Sequence, residues 1–178
     1  MSVNKSNELP MPLFNPRTIL VAALCVGAAA GSAHGQDMGI EVGKIAPAVT
    51  VQTLDGKQLD LGNYIGKTPM LIEFWATWCP NCRELMPTLL ATEKKFAGKV
   101  KFLAVAVNVN QSPERVRRFL AAHPLPHETV FDAEGKAAEG FDAPATSYVV
   151  VLDRKGRVVY TGLGGKQDLD GAIVKGLQ

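Results

Sequence analysis

Two nearly continuous apolar runs place the strongest constraint on how this chain folds. Residues 70–76 (MLIEFWA) and residues 100–109 (VKFLAVAVNV) are apolar at most positions. Such a run is typical of a strand that is buried on both faces of a sheet. Between them, in residues 80–96, apolar side chains recur at helical spacing. The sequence therefore predicts a strand–helix–strand unit at the centre of the fold.

Shorter segments of the same kinds flank this unit. Asp55-Gly56 is a strong turn signal, and it joins two short strands into a predicted N-terminal hairpin. Ser112 and Pro113 have the residue types that begin a helix. Further strands are expected at 49–54, 58–61, 129–131, 147–152 and 157–161. Further helices are expected from Pro113 until Pro124 and Pro126 end the helix, and at 134–141 and 168–177. This order predicts the α/β class, with a mixed central sheet that has helices on both faces.

Length and charge narrow the function classes. The chain has 178 residues, of which 47% are hydrophobic, and this is enough for one ordinary globular domain. Nineteen basic and 17 acidic residues give a formal charge of +2, so the sequence offers no electrostatic case for nucleic-acid binding.

The N-terminus has the composition of an export signal. Arg17 precedes a short apolar stretch, residues 18–30, which is followed by small residues. A basic residue, a short apolar core and small residues before a cleavage point are typical of a secretory signal peptide. We expect residues 1–35 to be this signal, cleaved after Gly35 or after Ala33, with an uncleaved membrane anchor as the alternative. Residues 36–178 then form the domain.

Cys79 and Cys82 are the strongest candidate catalytic residues. They follow the first apolar run and open the predicted helix, so Cys79 is expected at its N-cap. A helix N-terminus stabilises negative charge, and the thiolate is the form of cysteine that attacks disulfides. We expect Cys79 to form a mixed disulfide with a partner, and Cys82, one turn inside and more buried, to resolve it. Pro80 suits the first helical position, where its missing N–H is harmless.

Two neighbours of the cysteines are further candidates. Glu73 is the only charged residue of the first apolar run. A buried carboxyl has a raised pKa and could exchange protons with Cys82. Trp78, directly before the pair, would give a docking protein an apolar surface.

The segment 73–83 (EFWATWCPNCR) resembles the active-site strand and turn of the thioredoxin superfamily. Pro87 matches a proline of that family's active-site helix, and residues 43–47 (GKIAP) resemble the opening of its exported branch, the TlpA/ResA/DsbE-like thiol:disulfide oxidoreductases. The resemblance implies a thioredoxin-like fold and a periplasmic enzyme that reduces protein disulfides through a redox-active Cys79–Cys82 disulfide, with no other cofactor. It also implies protein dithiols and disulfides as substrates and a membrane electron donor of the DsbD/CcdA type. A monomer is expected.

The same resemblance assigns the docking residues. The family has a cis-proline that begins a strand facing the cysteines, and residues 140–153 (GFDAPATSYVVVLD) resemble that region. This makes Ala143–Pro144 the expected cis bond, with the Ala143 backbone available to hydrogen-bond an extended partner. Together with Trp78, Pro80 and Asn81, these residues are the expected docking site. Ala145 stands where many cytochrome-maturation members have an acidic residue, which argues against a dedicated cytochrome c role.

Other readings of the cysteine pair remain open from the residues alone. Two thiolates suit Cu(I), so a copper-site metallochaperone, or a thiol reductant for copper-site assembly, is one alternative. His123 and His127, the only histidines of the domain, flank a proline-containing loop and are expected to be solvated. A DsbA-like oxidising enzyme, a peroxiredoxin-like peroxidase and a structural bridge are the others. A disulfide that closes only two intervening residues is a poor stabiliser, which disfavours the last.

Overall fold

A seven-stranded mixed sheet forms the centre of the protein, as seen in a computed structural model that describes residues 38–178. The strands follow the order β2-β1-β5-β4-β3-β6-β7. Their bounds are β1 Thr50–Thr53, β2 Gln58–Asp60, β3 Met70–Trp75, β4 Lys101–Val107, β5 Glu128–Asp132, β6 Tyr148–Leu152 and β7 Val158–Leu163. The expected signal segment, residues 1–35, lies outside the described residues.

The two apolar runs of the sequence form β4, the central strand of this sheet, and its neighbour β3. Strand β3 pairs in parallel with β4, and β4 pairs in parallel with β5. Strand β6 pairs antiparallel with β3, and β7 pairs antiparallel with β6. The hairpin β1–β2 joins the far edge through an antiparallel pairing of β1 with β5. All six residues of β3 are buried, as a strand with neighbours on both edges and helices on both faces requires.

Four helices cover the two faces of the sheet. They are α1 Pro80–Lys95, α2 Pro113–Ala122, α3 Lys136–Gly140 and α4 Leu169–Gly176. Helices α1 and α4 pack on one face, where Leu85 and Leu89 of α1 share a core cluster with Leu71 of β3. The alternate residues of β3, Ile72 and Phe74, belong to the other cluster, which contains residues of α2 and α3. The mixed sheet, the two helical layers and the N-terminal hairpin confirm the predicted fold class.

Local sequence explains where the helices begin. Ser112 is the N-cap of α2 and its side chain accepts the Arg115 N–H, while Asp168 caps α4 through the Gly171 N–H. The observed elements differ from the predicted ones mainly at their ends. Strand β4 stops at Val107, two residues before the apolar run does, because the chain there leaves the sheet toward the active-site turn.

The first described residues pack against the sheet. The Ile40 N–H donates to the Phe141 carbonyl at 3.0 Å and lies 3.0 Å from the Tyr148 hydroxyl. Gly39 lies so close to this tyrosine that a Cβ at position 39 would stand 2.0 Å from its hydroxyl oxygen. Among residues 38–178, no helix is both long and apolar enough to cross a membrane.

Candidate active site

The cysteine pair lies in the turn that joins β3 to α1. Cys79 is the N-cap of α1, and its Sγ accepts the backbone N–H of Cys82 at 3.0 Å. Pro80 occupies the first turn, where its lack of an N–H leaves no intrahelical bond unmade. A sulfur at this position meets the positive end of the helix, so the structure favours the thiolate of Cys79 once the pair is reduced.

Cys79 and Cys82 are joined in a disulfide, with their Cα atoms 5.3 Å apart. The expectation that Cys82 is the more buried of the two is wrong for this oxidised form. Cys79 is 2% exposed and Cys82 is 3% exposed, because the bond ties both sulfurs into the same hydrophobic cluster. Exposure therefore does not distinguish the two cysteines, whereas the N-cap position does.

Glu73 is buried in the middle of β3, at 4% exposure. Its neighbours across the sheet are Ala104 of β4 and Val149 of β6, neither of which carries a polar side chain. Burial raises the pKa of Glu73 from 4.5 to about 8, with desolvation of the carboxylate as the cause. The carboxyl group is therefore mostly protonated at neutral pH.

The position of Glu73 follows from alternation along the strand. Leu71, two residues earlier, lies on the face that packs against Leu85 and Leu89 of α1. Residues two apart on a strand share a face, so Glu73 is directed toward α1, as Leu71 is. Glu73 lies two residues farther along β3 than Leu71, and therefore closer to the N-terminus of α1. This puts the carboxyl group on the face of the sheet that α1, the helix containing Cys82, covers.

Two contacts that the sequence reasoning missed fix the turn before Cys79. The Trp78 indole Nε1–H donates to the Val109 carbonyl at 2.9 Å, and the Gln111 side chain accepts the Thr77 N–H at 3.0 Å. Both partners lie in the loop that follows β4. Since β3 and β4 are parallel neighbours, their carboxyl ends meet at one edge of the sheet. The sequence feature that could have identified Gln111 is its position as a polar residue just after the second apolar run.

A groove of about 410 Å³ adjoins the cysteine turn. Half-exposed Trp78 forms one wall, and the loop that precedes β6 forms the opposite one. The lining carries no charged side chain and consists of Trp78, Val107, Asn108, Val109, Ala138, Ala143, Pro144, Ala145 and Thr146. Of the expected docking residues, Trp78, Ala143 and Pro144 thus share the groove, whereas Pro80 and Asn81 are exposed on α1 and do not line it.

The expected cis bond at Ala143–Pro144 is wrong: residues 38–178 contain no cis peptide bond. Pro144 also lies four positions before β6, and the residue that directly precedes this strand is Ser147. The chain changes direction here through Asp142 and Ser147, whose φ angles are 47° and 64°. With these two residues making the turns, the proline bond keeps the trans form that X–Pro bonds ordinarily prefer by about 0.5–1 kcal/mol.

The described part of the chain holds no cluster of three or more His, Cys, Asp or Glu side chains that could bind a metal ion. His127 is instead paired with Glu93 of α1, with its Nδ1 2.7 Å from the carboxylate. Its side chain is 3% exposed, so the expectation that it is a solvated loop residue is wrong. The His127 ring packs against Phe102, which explains its burial.

Comparisons with known proteins agree with this geometry. The profile of the Redoxin family matches residues 41–174. The thioredoxin-like protein YneN of Bacillus subtilis is 30% identical over 138 residues, which cover 76% of this chain and 80% of YneN. The thiol-disulfide oxidoreductase ResA of the same organism is 27% identical over 120 residues, covering 67% and 66% of the two chains.

Solved structures share the fold. StoA from Bacillus subtilis superposes with a TM-score of 0.60 at 22% identity, over 72% of this chain and 98% of StoA. A secreted disulfide oxidoreductase of Mycobacterium tuberculosis, homologous to Escherichia coli DsbE, gives a TM-score of 0.61 at 23% identity, over 71% and 95%. The chain therefore belongs to the Redoxin family, among the TlpA/ResA/DsbE-like thiol-disulfide oxidoreductases of the thioredoxin superfamily.

Proposed function

We propose that this protein is an exported thiol-disulfide oxidoreductase that reduces disulfides of other proteins in the periplasm. The observation that carries the proposal is the N-cap position of Cys79, whose Sγ accepts a backbone N–H at the positive end of α1. This environment stabilises the thiolate that begins the exchange and makes Cys79 the nucleophile. Cys82, inside the helix, is the resolving cysteine.

The reaction transfers two electrons to the substrate. The Cys79 thiolate attacks one sulfur of a substrate disulfide, so a mixed disulfide forms and the other substrate sulfur leaves as a thiolate. Cys82 then loses its proton and attacks the Sγ of Cys79, which releases the second substrate thiolate and closes the Cys79–Cys82 disulfide. The released substrate thiolates take up protons, and the enzyme is left oxidised.

Glu73 is the proposed proton acceptor for Cys82. Its carboxylate, which is the minority form at neutral pH because the pKa is about 8, accepts the thiol proton during the resolving step. The raised pKa makes this carboxylate a stronger base than that of an exposed glutamate. The burial of Glu73 and its apolar cross-strand neighbours, Ala104 and Val149, support a proton transfer that is shielded from solvent. Its location on the face of the sheet covered by α1, the helix that contains Cys82, supports this role.

The groove beside Trp78 is the proposed docking site for an extended segment of the partner protein. Its lining has no charge, so it favours segments with apolar side chains next to the reacting cysteine. Trp78 supplies apolar contact area, while Ala143 and Pro144 form the opposite wall. Pro80 and Asn81, exposed in the first turn of α1, are proposed to contact the partner outside the groove.

The remaining proposals follow from the N-terminal sequence and from the family. Residues 1–35 direct export, and the domain works as a monomer. Once oxidised, it regains electrons from a membrane dithiol donor of the DsbD/CcdA type, since a reductase outside the cytoplasm has to be reduced again after every turnover.

The reduction potential of the Cys79–Cys82 couple tests the direction of electron flow. The full chain, with Cys25→Ala so that the pair are the only cysteines, is equilibrated in defined thiol/disulfide buffers. A reductase is expected to give a value below about −220 mV. A value near about −120 mV would identify an enzyme that donates its disulfide and would overturn the proposed direction.

Serine variants test the assignment of the two cysteines. In the same background, Cys79→Ser is expected to abolish disulfide reduction, whereas Cys82→Ser should accumulate a mixed disulfide through Cys79. Mass spectrometry of the trapped complex identifies the linked cysteine. Reduction that continued without Cys79, or a trapped species in Cys79→Ser rather than in Cys82→Ser, would reverse the assignment.

A further inference from the structure

Ser147 has an unusual backbone for a buried residue. Its φ is 64°, in the left-handed region that side-chain-bearing residues rarely adopt, and its exposed fraction is 0%. The described residues include two other non-glycine positions with positive φ, Asn110 and Asp142, and both are exposed. A strained conformation persists only where its surroundings hold it, so the contacts of Ser147 explain its presence.

Every polar group of Ser147 is used in holding this conformation. Its N–H donates to the Phe74 carbonyl of β3 at 2.8 Å, and its carbonyl accepts the Gly164 N–H at 3.0 Å. Its hydroxyl donates to the Gly164 carbonyl, also at 3.0 Å. These bonds connect Ser147 to β3 and to the residue that directly follows β7.

The Gln167 amide closes this arrangement. Its Nε2 donates to the Gly164 carbonyl at 2.7 Å and to the Ser147 carbonyl at 3.2 Å. Its Oε1 accepts the Tyr160 hydroxyl at 3.2 Å, which fixes the orientation of the amide. Gln167 thus adds hydrogen bonds to both of the chain segments that Ser147 and Gly164 already connect. We refer to Ser147, Gly164 and Gln167 as the loop clamp.

The clamp lies where the sheet gives way to the substrate groove. The four residues before Ser147, Ala143 to Thr146, all line the groove opposite Trp78. Because the backbone of Ser147 does not have strand geometry, its φ sets the direction in which residues 143–146, the wall of the groove, join β6. We propose that Ser147 and Gln167 are positioning residues, which hold the 143–146 wall in the conformation that receives a partner protein.

This inference rests on the proposed docking of protein disulfides in the groove. The proposed role affects large and small substrates differently. A partner protein needs the 143–146 wall for docking, whereas a small disulfide reaches the cysteines without it. Loss of the clamp is therefore expected to raise KM for a protein disulfide, while the reduction potential and the rate constant for a small disulfide remain those of the wild type.

Three variants of the full chain separate the contributions. Ser147→Gly removes the hydroxyl but adopts left-handed φ freely, Ser147→Ala removes the hydroxyl without that freedom, and Gln167→Met removes both amide donors at similar length. The control is Thr92→Val, which deletes a buried hydroxyl bond of 2.7 Å to Asp170, between α1 and α4 and away from the groove. Insulin serves as the protein disulfide and oxidised glutathione as the small one.

Ser147→Ala and Gln167→Met are expected to raise KM for insulin about three- to tenfold, the factor that corresponds to losing one or two net hydrogen bonds. Ser147→Gly loses the same hydroxyl bond as Ser147→Ala but relieves the backbone strain, so it should raise KM for insulin less than Ser147→Ala does. Thr92→Val should stay within about twofold of the wild type, because it leaves the wall intact. Gln167→Met also keeps the test valid if Ser147→Ala fails to fold, since it leaves the backbone of the strand unchanged.

Two results would overturn the inference. One is an unchanged KM for insulin in both Ser147→Ala and Gln167→Met; the other is an equal loss of rate toward insulin and glutathione, which indicates a general structural role. A wild-type protein that reduced glutathione but not insulin would instead refute docking in the groove, and the clamp's function with it. The wild-type measurement thus separates failure of the proposed function from failure of the clamp.

Discussion

Replacement of Glu73 by Gln should change how the stability of the oxidised protein depends on pH. In the folded protein, burial raises the pKa of Glu73 to about 8, against 4.5 for an exposed glutamate. The folded state therefore binds a proton that the unfolded state has already released, and stability falls as pH rises through this window. One pKa unit corresponds to about 1.4 kcal/mol, so the full shift of about 3.5 units costs about 5 kcal/mol above pH 8.

Glutamine has nearly the same shape but no proton to lose, so Glu73→Gln lacks this dependence. Between pH 5 and pH 8, the free energy of unfolding of the variant should gain about 3.5 kcal/mol relative to the wild type. The difference between the two proteins should grow almost linearly with pH over most of this range. Urea unfolding of both oxidised proteins, measured at half-unit intervals from pH 5 to pH 8.5, gives the difference directly. Other titrating groups are common to both proteins and cancel.

The matched control is Asp55→Asn. Hydrogen bonds from Thr53 and Lys57 lower the pKa of this exposed carboxyl below its ordinary 3.8, so it titrates below the measured window. Its difference from the wild type should be constant between pH 5 and pH 8. If Glu73→Gln also gave a constant difference, the Glu73 carboxyl would be ionised or hydrated in the folded protein, and the argument for its raised pKa and its proton transfer would fail.

Three further outcomes are expected. Trp78→Ala should raise KM for insulin more than KM for glutathione. Val174→Ala, which also removes an exposed apolar side chain, should change neither KM. If the two variants had the same KM for insulin, docking beside Trp78 would be contradicted. Leu89→Ala should lower the free energy of unfolding by about 2–5 kcal/mol, since this side chain is 1% exposed. Gly39→Ala should lower the free energy of unfolding by more than about 2 kcal/mol, because φ is 101° and the new Cβ would overlap the Tyr148 hydroxyl. A loss below about 0.5 kcal/mol would show that the structure around Tyr148 adjusts to the added Cβ without strain.

Much of the fold could be predicted because burial imposes a local pattern. Strands β3 and β4 have neighbours on both edges and helices on both faces, so nearly every residue had to be apolar. The helix starts were equally local, since Ser112 and Asp168 cap through their own side chains. The N-cap position of Cys79 was predictable for the same reason. It depends on the local sequence at the start of α1 and not on a contact with a distant residue.

Features that depend on distant partners could not be predicted. The conformation of Ser147 is set by Phe74, Gly164 and Gln167, which come from three other segments, and nothing in the neighbouring sequence marks it. The cis bond at Ala143–Pro144 is instead what the family resemblance of residues 140–153 implies, and that resemblance does not reveal that Ser147 makes the turn into β6. His127 was misjudged for a similar reason: its burial depends on Glu93 and Phe102, which lie 34 and 25 positions away.

The burial of both sulfurs has a consequence for how the enzyme serves two partners. Cys79 is 2% exposed, whereas Trp78 beside it is 38% exposed, so an approaching protein meets the groove before it meets the sulfur. The substrate has to reach Cys79 to receive electrons, and in the proposed cycle the donor has to attack the same sulfur to return them. Both partners then need the surface beside Trp78, and they are expected to compete for it. Recognition in the groove, rather than accessibility of the disulfide, would therefore decide which proteins exchange electrons with this enzyme.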